Sequence, residues 1–214
     1  MPRAKKNEAP SARERARAAR NDVYREHILE AAETVFAQSG FDAAKLQDIS
    51  RLAALSMGTI YAIFPGKNEL LSAILEQRGR EMLQLARAVV DRGEDPGETL
   101  DALIAAYVGY FVDHPMFLQM HLRQGVSWVL TPADGGNGRA RIWDEIHQLQ
   151  SELFRRGIAA KKFLAEDPGF LAKAFSALDQ VLLADWVGNG MKESRESLIS
   201  RMQQLAVRLF RTSR

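Results

Sequence analysis

Apolar residues recur at helical spacing along most of the chain, and this periodicity restricts the possible folds more than any other feature. One face of a predicted helix carries Ile28, Ala31, Ala32, Val35 and Phe36, at positions i, i+3, i+4, i+7 and i+8. Composition agrees, because Ala (30) and Leu (24) outnumber Val, Ile and Thr together (26). No useful length of chain alternates with the two-residue period of a strand. We therefore predict an all-α protein of about nine helices.

Start and stop signals divide this pattern into helices. Gly40 ends the first helix, and two short helices follow it before Pro65 and Gly66. A long helix is predicted from Lys67 to about Asp91, and later helices begin at Asp95-Pro96 and Asp167-Pro168. The glycine-rich stretch 131–138 is predicted to be a mobile loop that separates two halves of the second domain.

Several classes of protein are disfavoured by what the sequence lacks. It has no cysteine, hence no disulfide, thiolate nucleophile or cysteine-bound zinc. Its apolar stretches are shorter than the roughly 18 residues of a membrane span, and its basic N-terminus lacks the apolar segment of a signal peptide. We expect a cytoplasmic protein that contacts no membrane and binds no cofactor or metal.

Charge is distributed unevenly along the chain. Residues 1–20 carry seven basic and two acidic side chains, although the net charge of the whole chain is only +2. A basic arm on a mildly acidic body indicates a polyanionic partner, while a solvated tail is the alternative. We predict that residues 1–21 form a flexible arm, and that Ser11 and Glu14, at capping-box spacing, allow the first helix to extend backwards into it.

A helix, a tight turn and a second helix are predicted within residues 44–63. This is the size of a helix-turn-helix, whose second helix can lie in the major groove of DNA. The residues of the region are Arg25-Glu-His-Ile-Leu-Glu-Ala-Ala32, Val35-Phe36, Gly40-Phe41, Asp48-Ile49, Leu55-Ser-Met-Gly-Thr-Ile-Tyr61 and Phe64-Pro-Gly-Lys-Asn-Glu-Leu-Leu71.

This set of residues closely resembles the N-terminal domain of TetR-family transcriptional regulators over about residues 22–71. The resemblance implies a helix-turn-helix DNA-binding domain at 22–66 and an effector-binding and dimerisation domain at 67–214. It further implies a homodimeric repressor that places two recognition helices on a palindromic double-stranded DNA operator. A small apolar or amphipathic effector would release it by shifting the long fourth helix.

The resemblance also assigns roles to matched positions. Ser56 would cap the recognition helix, and Met57, Gly58 and Thr59 would lie at its groove-facing end. Tyr61 and Lys67 would reach the DNA backbone, since helix N-termini, cations and hydroxyl donors all suit phosphate. Each position also has a purely structural interpretation: close packing at Gly58, half-burial of Tyr61, and solvation of Lys67 at a helix start.

Some positions depart from the family pattern. Ala44 and Lys45 stand where threonines are usual, so we predict a backbone contact from the Lys45 ammonium instead of a hydroxyl. Ala54-Leu55 replaces a common Gly-Val turn, which we expect to be a packing variation only. The recognition helix has few side chains that can hydrogen-bond to bases, so specificity would depend partly on DNA shape, read by arginines of the arm.

No comparable motif follows residue 71, so the effector site is predicted from residue type. Aromatic residues and methionines line adaptable apolar pockets, although for any single residue ordinary core packing is the simpler explanation. The candidates are Tyr107, Tyr110, Phe111, Met116, Phe117, Met120, His121, Trp128 and Phe175. Asp179 and Arg123 are further polar candidates for orienting a ligand.

Dimerisation is predicted through the last two helices, at about 168–187 and 192–211. The final helix has one apolar stripe at Leu198, Met202, Leu205 and Leu209 and another at Ile199, Ala206 and Phe210, enough for its own core and a partner subunit. Two rival functions remain. An architectural DNA-binding protein would need no effector, and an enzyme would have to use His114, His121 and His147 without any recognised catalytic motif.

Overall fold

The protein is all-α, as predicted. The computed structural model describes residues 11–93, 95–123, 125 and 138–212, and within them nine helices and one isolated β-bridge, Phe163 to Arg211. The helices are α1 (Ala12–Ser39), α2 (Leu46–Leu52), α3 (Met57–Ile63), α4 (Lys67–Val90), α5 (Pro96–Asp113), α6 (Pro115–Arg123), α7 (Gly138–Ala159), α8 (Pro168–Gly188) and α9 (Arg195–Phe210). The predicted loop at 131–137 lies outside the described residues.

The chain divides into two compact units between Leu71 and Ser72. The sequence-based division falls five residues earlier, at the start of α4, because Pro65 and Gly66 are the visible break. The first turn of α4 belongs to the first unit, since Leu70 is buried and Lys67 bonds to the loop between α1 and α2. No helix in the described part of the chain is long and apolar enough to cross a membrane.

Helix α1 begins at Ala12, nine residues before the predicted end of the arm. Ser11 accepts a hydrogen bond from the Glu14 backbone, and the Glu14 carboxylate accepts one from the Ser11 backbone at 2.7 Å. This capping box, followed by strong helix formers, is sufficient to start a helix here. Residues 12–21 are therefore helical and exposed, in line with the backward extension that the capping-box spacing allows, while the first ten residues lie outside the described part.

The first unit packs α1, α2 and α3 around a small apolar core. Its fully buried side chains include Ile28, Phe36, Ile49 and Ile60, one or two from each helix. Gly40 ends α1 at a φ of 77°, and its N–H donates to the Phe36 carbonyl at 3.0 Å. The helix ends here because a positive φ is readily adopted only by glycine.

The turn between α2 and α3 corrects one sequence-based expectation. Ala54 adopts a φ of 54°, in the left-handed region. The Ser50 hydroxyl holds the turn by donating to the Leu55 carbonyl at 2.5 Å. A Cβ in this region clashes with the following carbonyl, so the replacement of glycine changes backbone energy and not packing alone.

The second unit surrounds α5, which packs against α6, α7, α8 and α9. Ten of its side chains or glycines are buried, consistent with its apolar sequence on nearly every face. At the end of α7 the Phe163 ring lies directly over Gly157, where an added Cβ would approach the ring to 2.0 Å. The Phe163 ring also packs against Phe154 in a tilted arrangement, with ring centroids 5.3 Å apart.

The buried faces of α7 and α9 each follow a single register. On α7 the buried face runs through Ile142, Ile146, Gln150 and Leu153, so an amide is buried while the neighbouring Leu149 is only half-buried. On α9 the buried face is Leu198, Met202, Ala206 and Phe210, which combines members of both predicted stripes. A spacing of four keeps these residues on one face, whereas the sequence pattern alone allowed neighbouring registers.

Candidate DNA-binding surface and effector site

Ser56 caps α3, as predicted. Its hydroxyl oxygen accepts from the Thr59 backbone N–H at 3.1 Å, and the two hydroxyls lie 2.9 Å apart. One of the free N–H groups at this helix start is therefore satisfied by the cap. The Thr59 hydroxyl has a hydrogen-bond partner within the protein before any ligand arrives.

The N-terminal end of α3 is open to solvent. An added Cβ at Gly58 would meet only the Ser56 hydroxyl, at the ordinary contact distance of 3.8 Å. Tyr61 is 54% exposed, so it is not the half-buried core residue of the alternative interpretation. Met57 is half-buried, and Ile60 is the residue that anchors α3 in the core. No packing inside the described residues requires glycine at position 58.

Lys67 contacts the protein backbone instead of lying free in solvent. Its ammonium donates to the carbonyls of Phe41, Asp42 and Ala44 at 2.8, 3.0 and 2.9 Å. It also lies 4.9 Å from the centroid of the Phe41 ring, within the range of a cation–π contact. An ammonium has three protons, so all are used to hold the loop between α1 and α2.

Lys45 is placed differently. It occupies the N-cap position of α2, and no side-chain hydrogen bond caps that helix. Its side chain is exposed. The four arginines at positions 13, 15, 17 and 20 are likewise exposed, along the first turns of α1. The exposed Lys45 ammonium is available to an external polyanion, whereas the Lys67 ammonium is already engaged.

Most predicted effector-site residues are buried in the second unit. Tyr107, Tyr110, Phe111, Phe117, Met120, His121 and Phe175 are buried, Met116 is half-buried, and Trp128 lies outside the described residues. They form two neighbouring groups. Tyr107 meets Phe175, with centroids 6.5 Å apart, while the rings of Phe111 and Phe117 stack at 5.9 Å. His121 joins the second group, 5.6 Å from Phe117.

The Tyr110 hydroxyl connects α5 to α4. It donates to the Glu81 carboxylate at 2.5 Å, and Arg78 donates to the same oxygen at 3.0 Å. Burial alone would raise the pKa of Glu81, but these two hydrogen bonds lower it overall. Burial and the bond to Glu81 raise the pKa of Tyr110. Its polar end thus serves a link between helices, while its ring packs with Phe111.

A buried polar cluster was only partly anticipated from sequence. Asp179 is 3% exposed and Tyr107 2% exposed, and Asp179 Oδ1 has no hydrogen-bond partner among the described residues. Beside them, the Ser176 hydroxyl donates to Gln150 Oε1 at 3.2 Å. The sequence analysis did not predict Gln150 and Ser176 as members of this cluster. The sign that could have revealed each of them is a polar residue on an otherwise apolar helix face.

The electrostatics of this cluster follow from burial. Burial raises the pKa of Asp179 to about 7. Burial also raises the pKa of Tyr107, as does the charge of Asp179, with a weaker opposing effect from Gln150. No basic group among the described residues lowers the pKa of Asp179. Among the described residues, Asp179 is therefore a buried carboxyl group without a paired cation.

An apolar groove lies on the outer side of α8 and α9. It has a volume of about 740 Å³, and its exposed members include Phe170 (60%), Val181 (66%) and Leu209. Along α8 the outward apolar residues are spaced as one helical stripe: Phe170, Ala174, Ala177, Leu178 and Val181. Helix α8 therefore has an apolar face toward its own core and another toward solvent. Metal-binding clusters of three or more His, Asp or Glu side chains are absent from the described residues.

Fold and site together define a helix-turn-helix protein with a second, all-helical unit. Residues 28–74 match the family model for bacterial regulatory proteins of the tetR family. The transcriptional repressor NicS of Pseudomonas putida is 32% identical over 114 residues, which cover 51% of this chain and 54% of NicS. The N-terminal region of this chain is therefore a tetR-family domain.

Longer matches extend over the second unit. The repressor KstR of Mycobacterium tuberculosis is 25% identical over 190 residues, 87% of this chain and 80% of KstR. The structure of FadR from Bacillus subtilis in complex with stearoyl-CoA has a TM-score of 0.70, at 16% identity, over 85% of this chain and 97% of FadR. This structural likeness concerns the fold. The first three curated relatives are matched over only 34–55% of their own lengths.

Proposed function

We propose that this protein is a sequence-specific DNA-binding transcriptional regulator, acting as a repressor. The observation that carries the proposal is the open N-terminal end of α3, where Gly58 has no protein neighbour that would exclude a side chain and Tyr61 projects into solvent. A glycine at an exposed helix end permits close approach of another surface. Its relatives NicS and KstR are named as repressors, which agrees with this role.

In the proposed complex, the end of α3 enters the major groove and the exposed Lys45 contacts the DNA backbone. Lys67 remains a predicted backbone contact, but we assign it first to holding the loop between α1 and α2. The arginines of α1 would bind phosphates or an adjacent minor groove. Replacing Arg13, Arg15, Arg17 and Arg20 by glutamine keeps helix propensity and should flatten the dependence of affinity on salt.

We further propose that the protein acts as a homodimer through the outward faces of α8 and α9. An apolar stripe on an otherwise complete helix needs a partner to cover it, and a second copy supplies an identical face. Val181→Glu should yield a monomer, because it adds charge to a strongly exposed position of the stripe without entering the core. Light scattering after gel filtration measures the mass. Val23→Glu, the same change at a 49% exposed site on α1, is the control; a Val181→Glu dimer would contradict this interface.

Regulation by a small apolar or amphipathic effector is the remaining part of the proposal. The complex of FadR with stearoyl-CoA supports effector binding within this fold. We assign the link from the effector site to α4 to Tyr110 and its bond with Glu81. An effector would release DNA only if it binds the released conformation more tightly than the DNA-bound one.

The experiment that tests this function is the selection of genomic DNA fragments by the purified full chain at near-physiological salt, followed by sequencing. We expect a palindromic motif whose half-sites are one helical turn apart, roughly 34–36 Å between centres. The Gly58→Ala variant should fold but have an obstructed helix end. In the same selection it should recover few fragments that contain the motif. Recovery of DNA without sequence preference would instead support an architectural protein.

A further inference from the structure

Helices α5, α7 and α8 bring four polar side chains into the apolar core of the second unit: Tyr107, Gln150, Ser176 and Asp179. Gln150 and Ser176 satisfy each other in part, through the bond from the Ser176 hydroxyl. Asp179 Oδ1 has no such partner among the described residues, and the Tyr107 hydroxyl has only the nearby Gln150 side chain, which lowers its pKa in part. A buried carboxylate oxygen without a partner is unusual, because nearly all such groups in native proteins are hydrogen-bonded.

The missing partner must suit the chemistry of these groups. A carboxyl group that burial disfavours in its charged form is stabilised by a hydrogen-bond donor, and most by a cation. A second carboxylate would face repulsion in the same low-dielectric surroundings. Aromatic side chains pack beside the cluster, since Phe175 lies 6.5 Å from Tyr107 and 6.4 Å from Phe154 between ring centroids.

We propose that Asp179 and Tyr107 form the polar recognition point of the effector site, and that the effector is an apolar molecule ending in a protonated amine. The Asp179 carboxylate accepts one hydrogen bond from the amine, and the Tyr107 hydroxyl oxygen accepts another. The aromatic neighbours hold the apolar body. The inference rests on the proposed function, to which it adds the class of effector and a residue that selects it against fatty carboxylates.

The test uses three probes with the same ten-carbon chain: decylamine, 1-decanol and decanoate. Binding to the full chain without DNA is measured by titration calorimetry at pH 7.5. Decylamine should bind at least about tenfold more tightly than decanoate, with decanol between them, because only the carboxylate meets a like charge. Equal affinities, tighter binding of decanoate, or no binding of any probe would overturn the proposal.

Asp179→Asn removes the charge at constant shape and should reduce the preference for decylamine over decanoate to within about threefold. Tyr107→Phe is a second variant, which loses one hydroxyl and should weaken the binding of decylamine several-fold. Asp185→Asn, an exposed acid on the same helix that pairs with Arg201, should retain the wild-type preference. An unchanged preference in Asp179→Asn would contradict the assignment. Because no DNA is present, this result is independent of whether an operator is found.

Discussion

The two units of the protein differ in where their functional groups point. In the first unit the end of α3 faces outward, and Gly58 and Tyr61 meet solvent. In the second unit the polar groups of Tyr107 and Asp179 point inward, surrounded by aromatic rings. An outward site is defined by residues close together in sequence, whereas an inward site requires three helices to be assembled first.

The same contrast holds between residues of one type. Gly58 has open space where a side chain would be, while Gly157 is covered by the Phe163 ring. Lys45 extends into solvent, while Lys67 is bound to three backbone carbonyls. Residue type and helix position therefore do not decide whether a glycine or a lysine serves binding or folding. The tertiary surroundings of the residue decide it.

The largest effect should come from Gly157→Ala. The new methyl group would lie 2.0 Å from the Phe163 ring, and overpacking of this kind costs about 3 kcal/mol or more of the free energy of unfolding. Urea unfolding measures it. Gly58→Ala should change stability by less than about 1 kcal/mol and instead weaken DNA binding. Adding Phe163→Leu should recover part of the Gly157→Ala loss, and additive effects of the two changes would contradict the steric cause.

Asp179 should make stability depend on pH. Its folded pKa of about 7 lies above the roughly 3.9 of an unfolded chain. Between these values the folded protein keeps a proton that the unfolded chain releases, so its contribution to stability is present at low pH and is lost as pH rises toward 7. Tyr107 faces the same cluster, and its raised pKa keeps it neutral over this range.

Urea unfolding of wild type and Asp179→Asn at pH 5, 6, 7 and 8 measures this contribution. The stability of wild type relative to the variant should fall by up to about 1.4 kcal/mol per pH unit, mainly below pH 7. Other titrating groups are common to both proteins and cancel in the difference. Parallel stability profiles would show that Asp179 does not titrate with a raised pKa.

The helices and the cap of α3 could be predicted because their determinants are local. Ser56 and Thr59 are three residues apart, and Gly40, Pro96 and Pro168 mark helix boundaries by their own backbone preferences. Two outcomes are open for the residues that follow Ser11 and Glu14. The dense positive charge that follows them favoured a flexible arm, whereas the capping box and helix propensity produce a helix.

The inward site could not be predicted because its members are far apart in sequence. Tyr107 and Asp179 are on helices separated by α6 and α7, and Gln150 becomes buried only because α7 rotates Gln150 rather than Leu149 toward the core. Lys67 likewise reaches carbonyls 23 to 26 residues earlier. From sequence alone, a lysine at a helix start does not indicate a contact with distant carbonyls, whereas the same position is typical of a phosphate contact.

Lys67→Met tests the inward lysine. The variant keeps the apolar stem but loses three hydrogen bonds from a charged donor, which should lower the free energy of unfolding by about 2 kcal/mol. Lys45→Met should leave stability within about 0.5 kcal/mol of wild type and reduce DNA affinity. Thermal unfolding and operator titration of both variants give the comparison. If the Lys67→Met protein had full stability but bound DNA weakly, Lys67 would be a DNA contact and not a residue that holds the loop.

The smallest predicted effect has an unusual sign. Ala54→Gly should stabilise the protein by about 0.5–1 kcal/mol, because glycine adopts the left-handed φ of 54° without a Cβ clash. The gain is limited by the greater freedom of glycine in the unfolded chain. The adjacent Ala53 has an ordinary right-handed backbone, with a φ of −71°, so Ala53→Gly should destabilise by a similar amount. Thermal unfolding of the pair separates backbone strain from packing, since both changes remove one methyl group, and a shift of the same sign in both would leave strain at Ala54 without support.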